Sequence, residues 1–232
     1  PRFRQPRELD AGINCTIEDT PWSTRIVLSQ KVDSVVLSTF VRDTLDTPSY
    51  YGFMLDNGQP GVLYNAVGLN SASFEHFYNN TRVAQGDAWP LHPDIIIISL
   101  GTNNCYGNNF VRENLEAVVD RFLSSVMENY PGVPVLMTTP MESCRRVRNN
   151  RTPNPNICVA TDVIEKAAAA HGAASWNLYN AAGGDGAMDS WFKAGLAQRD
   201  MIHMTENGYI LQADMLYDAL MLYFNANLLP IW

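Results

Sequence analysis

Apolar positions along the chain follow two different periods, and the change between them divides it. Residues 25–29 and 35–40 alternate apolar with polar side chains and are rich in β-branched residues, a pattern that predicts half-buried antiparallel strands with a hairpin turn at 31–33. After Gly58-Gln59-Pro60-Gly61 the alternation gives way to short apolar runs separated by helical periods. Residues 62–67 read as a buried strand, 72–84 as a polar-faced helix, and 94–100, with four consecutive isoleucines, as a central parallel strand whose two faces are both covered. Leu115, Val118, Val119, Phe122, Leu123 and Val126 recur at helical spacing and predict a helix over 110–130, stopped by Pro131-Gly132. A strand at 133–139, a polar loop at 141–156, an Ala-rich helix at 157–171, a strand at 174–179 and a closing amphipathic helix at 206–225 follow. Met215, Leu216, Tyr217, Leu220, Met221, Leu222, Tyr223 and Phe224 read as the core face of that last helix. Strands alternating with helices indicate an α/β architecture with a parallel sheet covered on both faces. Its ligands are expected at the carboxyl ends of the strands.

Composition narrows the function classes. The chain has 24 acidic against 16 basic residues, a formal net charge of -8, which lacks the footprint of a nucleic-acid binder or a basic membrane-surface protein. The run around Ile95–Ile98 is far shorter than the roughly 18 residues of a spanning helix. Cys15, Cys105, Cys144 and Cys158 follow no zinc or redox spacing, although Cys144 and Cys158 bracket a loop that a disulfide could staple. Asp185, Asp189 and Glu142 form no close set of oxygen ligands, so no metal is expected.

Three segments can carry chemistry. Gly101-Thr102-Asn103-Asn104 follows the Ile-rich strand, where glycine permits a sharp turn and an asparagine amide can face developing negative charge; an ordinary strand-to-loop turn has the same composition. Asp200-Met201-Ile202-His203 precedes the last helix, whose N-cap is expected at Thr205. A carboxylate three residues before a histidine can fix its tautomer and stabilise the imidazolium, though a solvated Asp and His near a helix start look the same in sequence. Gly68-Leu69-Asn70-Ser71-Ala72-Ser73-Phe74 lies at a strand-to-helix transition, where backbone N–H groups can cradle an oxyanion or simply begin a capped helix. His76, His92 and His171 read as structural or solvated.

Taken in order, these segments resemble the SGNH (GDSL-like) hydrolase superfamily, nearest in wording to its bacterial, secreted, carbohydrate-esterase-like branch. Residues 68–74 are similar to its second block, Ser99-Leu100-Gly101-Thr102-Asn103 to its third, and Asp200-Met201-Ile202-His203 with Thr205 and Gly208-Tyr209 to its fifth. The resemblance implies a flavodoxin-like three-layer sandwich with a parallel sheet, preceded by the end of a β-sandwich insertion: residues 1–57 as the end of the inserted domain and 58–232 as the hydrolase domain. It implies a serine esterase acting on a small-molecule or glycan ester, deacetylating a carbohydrate or cell-wall glycan. His203 would be its general base, Asp200 the base's orienting partner, Asn103 and the Ser71 backbone N–H its oxyanion donors, and Gly68, Asn70, Gly101 and Asn104 would line the substrate. No cofactor is implied, and the location implied is periplasmic or secreted. The first block, Gly-Asp-Ser, which supplies the nucleophile, occurs nowhere in the sequence. The chain is therefore expected to be the carboxyl-terminal part of a longer enzyme, inactive alone, with its serine encoded before Pro1. A catalytically inactive glycan-binding relative is the alternative. Ser71 stands where the family usually has glycine, a position whose backbone a serine adopts at a cost.

Overall fold

The computed structural model describes residues 14–19, 23–36, 53–80, 93–107, 109–148 and 150–227, and the chain divides into two compact units, Pro1–Gly68 and Leu69–Trp232. In the first unit, β1 (Cys15–Asp19) pairs antiparallel with β2 (Thr24–Leu28), Cys15 opposite Leu28 and Asp19 opposite Thr24. The strand expected at 25–29 is therefore present, but its partner precedes it in the chain. Val35 and Val36 are exposed and outside any strand, and 37–40 lie outside the described residues, so the hairpin expected around 31–33 is not what pairs β2. The strand expected at 62–67 is also not formed. Val62, Leu63 and Tyr64 are exposed and make no ladder, and an apolar run without a hydrogen-bonded neighbour has nothing to hold it extended.

The second unit is an α/β assembly. In chain order it comprises α1 (Phe74–Asn80), β3 (Ile96–Ser99), α2 (Thr102–Cys105), α3 (Arg112–Asn129), β4 (Val135–Thr138), β5 (Cys144–Val147), β6 (Asn150–Pro153), α4 (Asn156–His171), β7 (Ala174–Trp176), α5 (Leu178–Ala181), α6 (Ala187–Lys193) and α7 (Glu206–Asn227). Strands β3, β4 and β7 form a parallel sheet in that order, Ile96 beside Val135 and Leu136 beside Ala174. Successive parallel strands added in one direction place their crossover helices on one face. Accordingly α3 and α4 pack on each other and, with α1, enclose a core that includes Phe74, Val119, Leu123, Met137, Ile157 and Ile164. Phe122 meets Phe74 and Phe77 edge to face, with ring centroids 5.6 and 6.0 Å apart. Arg112 of α3 reaches Asp162 of α4, and Gly172, with φ 70°, ends α4 in the left-handed conformation that glycine adopts without strain.

Two expectations of burial are corrected. Ile96 and Ile98 face the core, but Ile95 and Ile97, on the other side of the pleat, are 47% and 40% exposed. On α7, Met215 packs inward whereas Tyr217, Leu222, Tyr223 and Phe224 are exposed. These positions of the predicted core face are therefore open to water rather than buried. The loop expected at 141–156 contains the antiparallel hairpin β5–β6, with Arg145 opposite Thr152 and Arg146 opposite Arg151. The strand expected at 174–179 stops at Trp176 because the Asn177 side chain accepts a bond from the Asn180 N–H at 2.8 Å and starts α5 instead.

Candidate active site

The segment 197–205 is closed on itself before it presents any chemistry. Gln198 N–H donates to the His203 carbonyl at 2.8 Å, Met201 N–H to the Gln198 carbonyl at 2.9 Å, and the Gln198 amide to the Met204 carbonyl at 2.9 Å. Thr205 Oγ1 accepts from Gly208 N–H at 3.3 Å and donates to the Gly195 carbonyl at 2.9 Å, which caps α7. Gly208 has a specific reason to be glycine, since a Cβ there would meet the Leu196 carbonyl oxygen at 2.0 Å. Met201 holds φ 56°, an uncommon value for a non-glycine residue, in the middle of this loop.

Within that frame Asp200 and His203 are joined. Oδ1 of Asp200 accepts the backbone N–H groups of Ile202 and His203, each at 3.0 Å, while Oδ2 lies 2.6 Å from Nδ1 of His203. Partial burial pushes the Asp200 carboxyl up, but the bonds from the His203 ring and from the two backbone N–H groups outweigh it and hold it below the ordinary carboxylate range. With an ionised carboxylate on Nδ1, the tautomer that leaves Nε2 able to accept a proton is the favoured one. The His203 side chain is 61% exposed against 33% for Asp200, so the ring is open to a reacting group while its partner is sheltered.

The second group of predicted residues surrounds the start of α1. Gly101 has φ 121°, a backbone angle that favours glycine, and a Cβ there would come within 3.1 Å of Ile164 Cδ1, which would have to shift slightly. The turn that follows sends Asn103 Nδ2 to the Ala72 carbonyl at 2.9 Å. One amide hydrogen is thereby used to fix the side chain, and the second has no partner among the described residues. Asn104 is engaged at both ends: Oδ1 accepts Phe74 N–H at 3.1 Å and Nδ2 donates to Glu75 at 2.8 Å, which ties α2 to the first turn of α1. Ser71 has φ 57°, so this serine does take up the left-handed backbone for which glycine is usual. Asn70 is exposed at the same turn, and Gly68 is exposed at the end of the first unit with open space around it.

Three residues that sequence reasoning did not single out, Asn154, Asn156 and Ser143, connect these two groups together with Cys144. Asn154 and Asn156 both donate to the Cys105 carbonyl, at 2.9 and 3.0 Å; Asn154 N–H donates to the Ser143 carbonyl at 2.9 Å; and Cys144 N–H donates to the Met201 carbonyl at 2.8 Å. A continuous hydrogen-bonded path therefore runs from the turn carrying Asn103 to the loop carrying Asp200 and His203. Asn154 and Ser143 are buried, as is Glu142, whose carboxylate accepts the backbone N–H groups of Gly186 and Met188 at 3.0 and 2.8 Å. Buried polar groups that fasten loops together have no periodicity by which a sequence could announce them.

Other candidates are set aside by their surroundings. Cys105 is fully buried and its thiol is pushed up to about 12 by burial, leaving negligible thiolate at neutral pH. Cys144 and Cys158 are free thiols, one buried and the other exposed. His171 faces Asp120 at 2.8 Å at the end of α4, and His92 lies outside the described residues. Among the described residues, no three His, Cys, Asp or Glu side chains are grouped to hold a metal ion, and no helix is long and apolar enough to cross a membrane.

The sequence profile of the GDSL-like Lipase/Acylhydrolase family matches residues 37–211, about three quarters of the chain, spanning Ser71, Asn103, Asp200 and His203. The chain belongs to this family. Solved structures similar to this GDSL-like chain include a peptidoglycan O-acetylesterase, 22% identical with a TM-score of 0.60 over 68% of this chain and 45% of that one. They also include an acetyl xylan esterase, 17% identical with a TM-score of 0.51 over 66% of this chain and 78% of that one. At these identities the likeness is one of fold. The chain spans less than half the length of the peptidoglycan esterase. No curated protein matches it.

Proposed function

We propose that this GDSL-like chain carries the base and the oxyanion donors of a serine esterase that removes acetyl groups from a carbohydrate or cell-wall glycan. The serine itself is supplied by a strand that precedes these residues. The observation that carries this reading is the 2.6 Å contact between Asp200 Oδ2 and His203 Nδ1, with the carboxylate fastened by two backbone N–H groups. A surface Asp–His pair has no need of that fastening, whereas a general base needs its tautomer fixed.

In the reaction, Nε2 of His203 takes the proton of the serine hydroxyl as its oxygen attacks the ester carbonyl. The tetrahedral oxyanion is met by the second amide hydrogen of Asn103 and the Ser71 N–H. The imidazolium, stabilised by Asp200, then gives its proton to the departing sugar oxygen, which leaves as the hydroxyl, and an acyl-serine remains. Water, deprotonated by the same ring, releases acetate and restores the serine. Asn70 and Gly101 line the approach to the carbonyl, and Asn104 contributes by holding α1 in place. Metal and cofactor have no step in this sequence.

The exposed apolar surfaces support a missing strand. Among the described residues β3 has a ladder neighbour on one side only, β4, and Ile95 and Ile97 are open to water. Burying the part of the two isoleucines that is still exposed is worth about 1–3 kcal/mol, a term that the missing strand and its covering layer would recover. In this reading residues 1–57 are the end of a β-rich insertion, 58–232 are the hydrolase domain, and the enzyme works at the cell surface or in the periplasm, where its polymer lies. The protein expressed from its whole coding sequence should release acetate from acetylated xylo-oligosaccharides and from 4-nitrophenyl acetate, and His203→Ala should lower that rate by about 10²–10⁴-fold. A variant with undiminished rate would remove His203 from the mechanism. Glycan binding without turnover in the unaltered protein would favour an inactive relative.

A further inference from the structure

The β5–β6 hairpin carries four arginines within seven residues, Arg145, Arg146, Arg148 and Arg151, in a chain whose net charge is -8. Arg146 and Arg151 are directly opposite one another across the two strands, so their side chains leave from the same face, and both are exposed. Like charges facing each other in a hairpin are unfavourable unless an anion lies between or above them. Among the described residues neither guanidinium is in ion-pair contact with a carboxylate, and the neighbouring carboxylates have other hydrogen-bond partners. Asp200 is engaged by His203 and two backbone N–H groups, Glu142 by the N–H groups of Gly186 and Met188, Asp185 by the Tyr179 hydroxyl and Asp189 by Lys193.

The hairpin is also built into the site. Cys144 N–H donates to the Met201 carbonyl at 2.8 Å and the Arg151 guanidinium donates to the Asp200 carbonyl, so the face that carries Arg146 and Arg151 is the one that reaches the loop of the base. Arg148, next after β5, has φ 56°, and its carbonyl accepts Arg146 Nε–H at 3.2 Å. Nε of Arg145 is buried with no partner among the described residues, and Arg199, exposed, immediately precedes Asp200.

We infer that this hairpin selects an anionic substrate: an acetyl ester on a glycan that bears carboxylates, drawn by the guanidinium groups to the His203 loop. An acidic protein repels such a polymer over most of its surface, and a local cluster of arginines reverses the sign where the ester must arrive. The inference rests on the esterase reading above, and its test separates the two. With the protein expressed from its whole coding sequence, kcat/KM is measured on O-acetylated oligogalacturonate, which carries a carboxylate on each sugar, and on neutral O-acetylated xylo-oligosaccharide. The expected result is an advantage of about tenfold or more for the anionic ester, the equivalent of one charge-assisted contact. That advantage should shrink as salt rises from about 0.05 to 0.5 M. Arg146→Gln should remove most of it, chiefly through KM and with a much smaller loss on the neutral ester, and Arg146→Lys should restore part. Equal rates on the two esters, or equal losses on both in Arg146→Gln, would overturn the inference and leave the esterase reading intact. If neither ester nor 4-nitrophenyl acetate is cleaved, the esterase reading fails. Calorimetric titration with the two deacetylated oligosaccharides then still decides charge selectivity, with tighter binding of oligogalacturonate supporting it and equal binding overturning it.

Discussion

Two surfaces of the same sheet differ sharply. Under α1, α3 and α4, the apolar positions that the helical and strand periods select pack into one core, from Phe74 and Leu123 to Met137 and Ile164. On the other side of β3, side chains of the same chemistry, Ile95 and Ile97, are open to water, as are Tyr217 and Leu222 on α7. Burial is a property of pairs of surfaces, and a sequence specifies only one member of each pair at a time. The packed face has both its members among the described residues. The bare side has one, and its composition still records that a second is needed.

The largest effect that should separate the two surfaces is in the core. Leu123→Ala in the 232-residue chain is expected to cost about 2–5 kcal/mol in urea unfolding, while Ile97→Ala costs less than about 1 kcal/mol. In the protein expressed from its whole coding sequence the second value should rise into the range of the first. An Ile97 cost that stays small there would mean that no strand covers β3. Next in size is Gly208→Ala, where a Cβ 2.0 Å from the Leu196 carbonyl forces α7 away from the His203 loop; a loss of about 2–4 kcal/mol and of activity together is expected. Smaller, and of opposite sign, is Ser71→Gly, which relieves a left-handed serine and should stabilise the fold by about 1 kcal/mol with the oxyanion N–H retained.

The smallest effect concerns pH. Asp200 has a folded-state value below its unfolded value of about 3.9, so its contribution to stability is complete above that point and is lost as pH falls through the lower folded value. Asp200→Asn should therefore lower stability near neutrality, by an amount that shrinks as pH falls below about 4, and so flatten the acid limb, as read by thermal melts across pH. An unaltered acid limb would mean that the carboxylate is not held by His203 and the backbone.

How much of this was legible in sequence depends on whether a residue's partner was near it in the chain. Helices α3, α4 and α7 were expected within a few residues of where they lie, because their period and stop signals are local. The Asp200–His203 pair was visible for the same reason, its members being three residues apart. The strand expected at 62–67 failed because a strand exists only through a neighbour. The β5–β6 hairpin was hidden by its polarity, since Cys-Arg-Arg-Val and Asn-Arg-Thr-Pro carry no apolar alternation. Asn154 and Glu142 could be recognised only from contacts 44–49 residues distant in sequence.

The central claim is that His203, Asp200 and Asn103 serve a nucleophile that these residues do not contain. The most direct measurement is to treat the protein expressed from its whole coding sequence with a serine-directed fluorophosphonate and map the labelled residue by mass spectrometry. The account predicts a single labelled serine in a Gly-Asp-Ser sequence before Pro1, with labelling lost in His203→Ala. Labelling at Ser71, Cys105 or any other residue of the 232 would contradict it.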